Sequence, residues 1–190
     1  MILATNNKGK LREIKAILNE YEIKSLEEVN INIEVDEDQD SFYGNALKKA
    51  KEIYEVAKEP TIADDSGLCI DYFNDWPGVY TARFLGENTT AEERNNYIIE
   101  KMQDLKGEDR KAHIVCNLVY FDGKNTILGE GILYGKIADS RCGSNGFGFD
   151  EIFELDNGKT LAELPMNEKN TLSARYLATL DLKEKLKELN

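Results

Sequence analysis

The residues most able to do chemistry are Asp64-Asp65-Ser66-Gly67, which follow the apolar run Thr61-Ile62-Ala63. The run reads as a buried strand. Two adjacent carboxylates at its end, followed by a hydroxyl and a glycine, suit a metal-assisted hydrolase. Carboxylates hold a hard divalent cation or take a proton from water. The glycine is expected to turn the backbone at once, leaving both acids at the rim of a sheet. The same four residues also fit an ordinary Asx turn.

Other stretches carry complementary chemistry. Thr5-Asn6-Asn7-Lys8-Gly9-Lys10 joins an apolar strand to a helix with Leu11, Ile14, Ile17 and Leu18 on one face. Backbone N–H groups at such a helix start favour an anion, and Lys10 adds charge. It lacks the Walker A spacing, and taken alone it fits a solvated helix start better than a phosphate site. Glu37 lies in an acidic stretch that also reads as a solvated loop, and Lys49 in a helix where it also reads as a surface lysine. Phe147-Gly148-Phe149-Asp150 offers rings to stack on a base and a carboxylate for its edge. A core-facing aromatic strand is the alternative there. Lys169 and Arg175 bring two cations close together, and Arg175 can bond in a planar fork.

These residues need elements to position them. Helix and strand alternate early: a strand at 2–4, a helix, a short strand at 22–24, and a helix from Ser41 to Ala57. A strand at 61–63 and another at 68–70 follow, then a turn or loop at Trp76-Pro77-Gly78-Val79-Tyr80. Thr90 and Glu93 have capping-box spacing for a helix over 91–102. Lys111 to Phe121 and the run from Ile127 to Tyr134, joined by Asp122-Gly123, predict an antiparallel hairpin. A short helix at 160–164 and a long one from Ser173 to Leu189 close the chain. The order predicts an α/β protein with a mixed sheet.

Composition narrows the class. The chain has 190 residues, 41% hydrophobic and 32% charged, with net charge −12. That suits one globular domain, residues 1–190. So acidic a surface repels nucleic-acid backbones and anionic membranes. An anionic substrate therefore needs a local basic pocket, a metal, or both. Cys69, Cys116 and Cys142 lack paired spacing and read as reduced residues of a cytoplasmic protein rather than a disulfide frame or zinc site. The one histidine, His113, reads as a strand residue.

Taken in order, the motifs resemble the ITPase family, also called the Ham1 family. They are Thr5-x-Asn7-x-x-Lys10, Glu37, Phe42, Asn45-Ala46-x-x-Lys49-Ala50 and Ala63-Asp64-Asp65-Ser66-Gly67-Leu68. Pro77-Gly78-Val79-Tyr80-x-Ala82-Arg83 and Gly146-Phe147-Gly148-Phe149-Asp150-x-Ile152-Phe153 follow, then Ala162-Glu163-Leu164 and Lys169-Asn170-x-x-Ser173-x-Arg175. The set spans nearly the whole chain. The resemblance implies an elongated mixed sheet flanked by helices, two lobes around a nucleotide cleft, and a homodimer. It implies Mg²⁺-dependent hydrolysis of deaminated purine triphosphates (ITP, dITP, XTP) to monophosphate and pyrophosphate. It implies Asp65 as proton acceptor and Glu37 and Asp65 as metal carboxylates. Thr5, Asn7, Lys10, Lys49 and Lys169 would cradle the triphosphate, with Ser66 close by. Phe149, Asp150 and Arg175 would face the base, with Phe147 in the same substrate-binding loop.

Three positions depart from the pattern. Ala174 stands where the family usually has histidine before Arg175, Gly44 where many bacterial members have glutamate, and Glu151 where proline is common. The first bears on base selectivity. Two rival readings follow: a related pyrophosphatase of shifted base preference, and a non-catalytic nucleotide-binding protein.

Overall fold

Ile2–Leu3, Lys24–Ser25 and Thr61–Ile70 form the strands β1, β2 and β3, with helices α1 (Lys8–Ile17) and α2 (Phe42–Ala57) between them. This is a computed structural model, and it describes residues 1–86 and 88–189. Then come β4 (Trp76–Pro77), α3 (Ala91–Lys101), β5 (Lys111–Phe121), β6 (Thr126–Ile137), β7 (Phe153–Glu154), α4 (Met166–Lys169) and α5 (Ala174–Lys187). The fold is α/β. One mixed sheet runs β2-β1-β3-β5-β6-β7, with β4 beside β3. Ile2 is paired in parallel with Lys24 and with Thr61, whereas β4 and β7 pair antiparallel.

The chain divides into two compact units. The first comprises Met1–Ser66, Cys116–Gly131 and Ala174–Asn190; the second comprises Gly67–Val115 and Ile132–Ser173. In the first unit, α2 buries Ala46, Ala50 and Ile53 against Ile2, Ala4, Ala63 and Val119. Residues of opposite parity, Leu3 and Ile62, are fully buried, as are Ile14 of α1 and Leu182 of α5. Helices α1 and α5 pack on one another. Gly131 of β6 explains how α5 lies so close: a Cβ there would fall 2.1 Å from the Ala174 carbonyl oxygen. Two further signals match the sequence reading. Thr90 and Glu93 form a reciprocal capping box at the start of α3, and Asp122 accepts from the backbone of Lys124 and Asn125 in the β5–β6 turn.

Three expectations need correction. The two strands expected at 61–63 and 68–70 are one, β3, buried along nearly all its length. Gly67 does not turn the chain; it is absent from the glycines of positive φ. Paired by neighbouring strands, and with each acid neutralised or hydrogen-bonded, the segment stays extended. Next, the short strand expected at 22–24 is Lys24–Ser25, because register with β1 places it there. Finally, Trp76–Pro77 is a strand rather than a loop, held by pairing with Cys69 and Ile70.

Candidate active site

Continuity of β3 decides the site. Successive side chains of a strand point to opposite faces, so Asp64 and Asp65 are neighbours in sequence but not in environment. Asp64 shares parity with Ile62 and meets α1 and α5. Its Oδ2 accepts from Lys10 Nζ at 2.7 Å and lies 3.7 Å from Arg175 Nε. Arg175 Nη1 donates to Glu13 Oε2 at 2.7 Å. Burial would push the Asp64 carboxyl up, but Lys10, Arg175 and Lys49 outweigh it and hold the group well below the usual carboxylate range. The Arg175 guanidinium is buried too, yet Asp64 and Glu13 raise its proton affinity further.

Asp65 shares parity with Ala63 and meets α2. Its Oδ2 accepts from Asn45 Nδ2 at 2.9 Å and its Oδ1 from Ser66 N at 2.9 Å. Burial raises its pKa to about 6, with the charges of Glu37 and Asp64 adding and Lys49 and Asn45 opposing. Lys49 Nζ donates to Glu37 Oε1 and, at 2.6 Å, to the Asp64 carbonyl oxygen. Burial disfavours its charge, but Asp64, Glu37 and Asp65 more than offset this. Glu37 and Asp65 are thus two carboxylates close enough to repel. They are hard oxygen donors, and the Glu37 side chain is 32% exposed, so a divalent cation could reach and relieve them.

The segment between β1 and α1 forms a capped helix start. Asn7 is the N-cap of α1, its side-chain oxygen accepting from Gly9 N and Lys10 N, and Thr5 Oγ1 accepts from Asn7 N. The Asn7 amide nitrogen is left to donate outward, and Lys10 sits one turn along, on Asp64.

In the second unit, the glycine-rich loop builds a compact group. Asp150 Oδ2 accepts from Phe147 N at 2.7 Å and from Lys169 Nζ. The ammonium lies 4.7 Å from the Phe147 ring centroid. Asp150 and Lys169 are buried, whereas Phe147 is about half exposed and Phe149 partly so. Gly146 (φ +88°) is required here, since a Cβ would fall 2.2 Å from Asp150 Oδ2. Asn95 of α3 donates to the Gly148 carbonyl at 2.8 Å.

Thus Thr5, Asn7, Lys10, Glu37, Lys49, Asp65, Ser66 and Arg175 belong to the first unit, and Phe147, Phe149, Asp150 and Lys169 to the second. Arg175 and Lys169 have their measured contacts with Asp64 and Asp150 respectively. Ala174 is buried, 2% exposed, at the first residue of α5. Sequence reasoning assigned no role to Asn45, Glu13 or Asn95. Asn45 was detectable: it stands four residues before Lys49, on the same helix face, beside the apolar stripe.

The Ham1 family matches residues 1–185, and the chain belongs to that family. It is 42% identical to a dITP/XTP pyrophosphatase of Caldanaerobacter subterraneus subsp. tengcongensis, covering 97% of this chain and 94% of the relative. It is 40% identical to a dITP/XTP pyrophosphatase of Clostridium perfringens, covering 98% and 96%. The solved structure of a HAM1 protein from Coxiella burnetii superposes with a TM-score of 0.90 at 34% identity, covering 98% of each chain.

Proposed function

We propose that the chain is one nucleotide pyrophosphatase domain. It hydrolyses non-canonical purine nucleoside triphosphates (ITP, dITP, XTP) to the monophosphate and pyrophosphate, and so clears damaged nucleotides from the pool. The observation that carries this is the division of labour at Asp64 and Asp65, with relatives of nearly full length that bear the name dITP/XTP pyrophosphatase. A triphosphate brings several negative charges to an acidic protein, and Lys10, Lys49 and Lys169 offset them. Thr5, Asn7 and the α1 N-terminus add neutral donors. Phe147, Phe149, Asp150 and Arg175 take the base.

Glu37 and Asp65 would hold Mg²⁺, which supplies Lewis-acid polarisation of a phosphoryl oxygen and offsets charge. Asp65 takes the proton of the attacking water. Its carboxylate is oriented by Asn45 and the Ser66 N–H, so it acts from a fixed position. Asp64 binds no substrate; it holds Lys10 and Arg175 in place. The protein is proposed to work as a homodimer in the cytoplasm; among the described residues no helix is long and apolar enough to cross a membrane. Product analysis with a panel of triphosphates and Mg²⁺ tests the reading. Pyrophosphate release from ITP, dITP and XTP, well above that from ATP and GTP, is expected. Release of inorganic phosphate, or no turnover, would overturn it.

A further inference from the structure

The second unit holds a donor set that the nucleotide chemistry leaves unused. Cys69 Sγ, a carboxylate oxygen of Asp75 and a ring nitrogen of His113 all lie within 4.8 Å of one another. Cys69 is on β3, Asp75 on the turn before β4, and His113 on β5. His113 Nδ1 lies 3.0 Å from Asp71 Oδ1, and Nε2 lies 3.8 Å from Asp75 Oδ1. We propose that Cys69, Asp75 and His113 bind a divalent transition cation, zinc by preference, with Asp71 holding the histidine ring.

The ring geometry carries the argument. Nδ1 faces Asp71 and Nε2 faces Asp75, so one carboxylate can steady the ring while the ring, Asp75 and Cys69 share a cation. A carboxylate behind the non-ligating nitrogen is the usual support of a metal-bound histidine. Zinc bonds of about 2.0–2.3 Å to nitrogen, oxygen and sulfur place tetrahedral ligands roughly 3.3–3.8 Å apart. The His113 Nε2–Asp75 Oδ1 separation of 3.8 Å lies at the top of this range, and the exposed Asp75 side chain has room to adjust. Thiol, imidazole and carboxylate together select a borderline-soft ion over Mg²⁺, which prefers oxygen.

Burial, with Asp75 and Asp71 adding, pushes the Cys69 thiol up to about 12. On binding, the Sγ–H proton leaves to solvent, a sulfur–metal bond forms, and the ion stays divalent. The bound ion would tie two adjacent strands to the turn between β3 and β4, leaving a fourth position for water.

The test uses the untagged full-length protein, stripped with chelator and titrated with Co²⁺. One Co²⁺ per chain is expected, with thiolate-to-cobalt charge transfer in the near ultraviolet and displacement by stoichiometric Zn²⁺. The band should vanish in Cys69→Ser and persist in Cys142→Ser. Asp71→Asn should weaken affinity by about 10–100-fold. Asp75→Asn guards against misfolding of the cysteine variant, because the side chain is exposed and asparagine accepts its φ of 63°. A folded Asp75→Asn with undiminished Co²⁺ affinity would overturn the site. So would a band that survives in Cys69→Ser, or no charge transfer at all.

Discussion

The two faces of β3 put the same residue type to opposite uses. On the α1/α5 face, Asp64 is clamped by Lys10 and Arg175 and its charge is locked on. On the α2 face, Asp65 is oriented by one amide and one backbone N–H, with Glu37 as an acidic neighbour. A buried carboxylate surrounded by cations is a structural anchor. A buried carboxylate held mainly by neutral donors keeps its affinity for a proton or a metal. The difference arises from strand alternation alone, since the two positions are consecutive.

The strongest way to break this comparison is Asp65→Asn. It should lower pyrophosphate release by about 10²–10⁴-fold, the range for losing a positioned proton acceptor. The fold should survive, since asparagine keeps the size and sheds a buried charge. Near-normal turnover with Mg²⁺ would remove Asp65 from the chemistry. Asp64→Asn should act through stability instead. It leaves Lys10 and Arg175 without their shared anion, and breaking a buried pair costs about 3–5 kcal/mol. Denaturant unfolding would register the loss, and an unchanged midpoint would refute the anchor role.

Metal removal sharpens the α2 face. EDTA should stop hydrolysis and Mg²⁺ restore it, while Glu37→Gln should raise the Mg²⁺ concentration needed for half-maximal rate. A metal-independent rate would discard Glu37 as a ligand. Asn45→Ala should be milder. It frees Asp65 and leaves the Gln39 N–H, bonded to Asn45 Oδ1 at 2.9 Å, without its acceptor. A loss of about 1–3 kcal/mol in stability is expected, with kcat falling more than KM changes. Equal effects on both constants would instead place Asn45 against the substrate.

Asp122 sets the scale for an acid with no catalytic task. Burial would raise its carboxyl, but bonds from Asn125 and Lys124 hold it below the usual range. A depressed folded pKa stabilises above the unfolded value, near 3.9, and that stability is lost as pH falls through the folded pKa. Asp122→Ala should therefore cost about 1 kcal/mol at neutral pH. The gap between parent and variant should narrow as pH falls below about 4. A gap constant with pH would show that the turn, rather than the charge, was being measured.

Much of this was legible in the residues. The capping box at Thr90 and Glu93 and the apolar runs of β1, β5 and β6 depend on neighbours within a few positions. Ordered motifs from Thr5 to Arg175 placed the chain in its family. The extended path of Gly67 was not legible. An Asp-Asp-Ser-Gly sequence favours a turn locally, and only ladder pairing on β3 and the cations of α1, α2 and α5 make it a strand.

By itself, then, the sequence determined which acids and bases are available, where the longer helices run, and the family to which the chain belongs. Tertiary structure alone decided that Asp64 and Asp65 face different partners and that Asn45 orients one of them. It also brought Cys69 and His113, far apart in sequence, within 4.8 Å of each other and of Asp75. Motif spacing reports only what a single element can juxtapose. Charge pairing and ligand sets depend on which elements the sheet brings side by side, and that is a property of the packed chain.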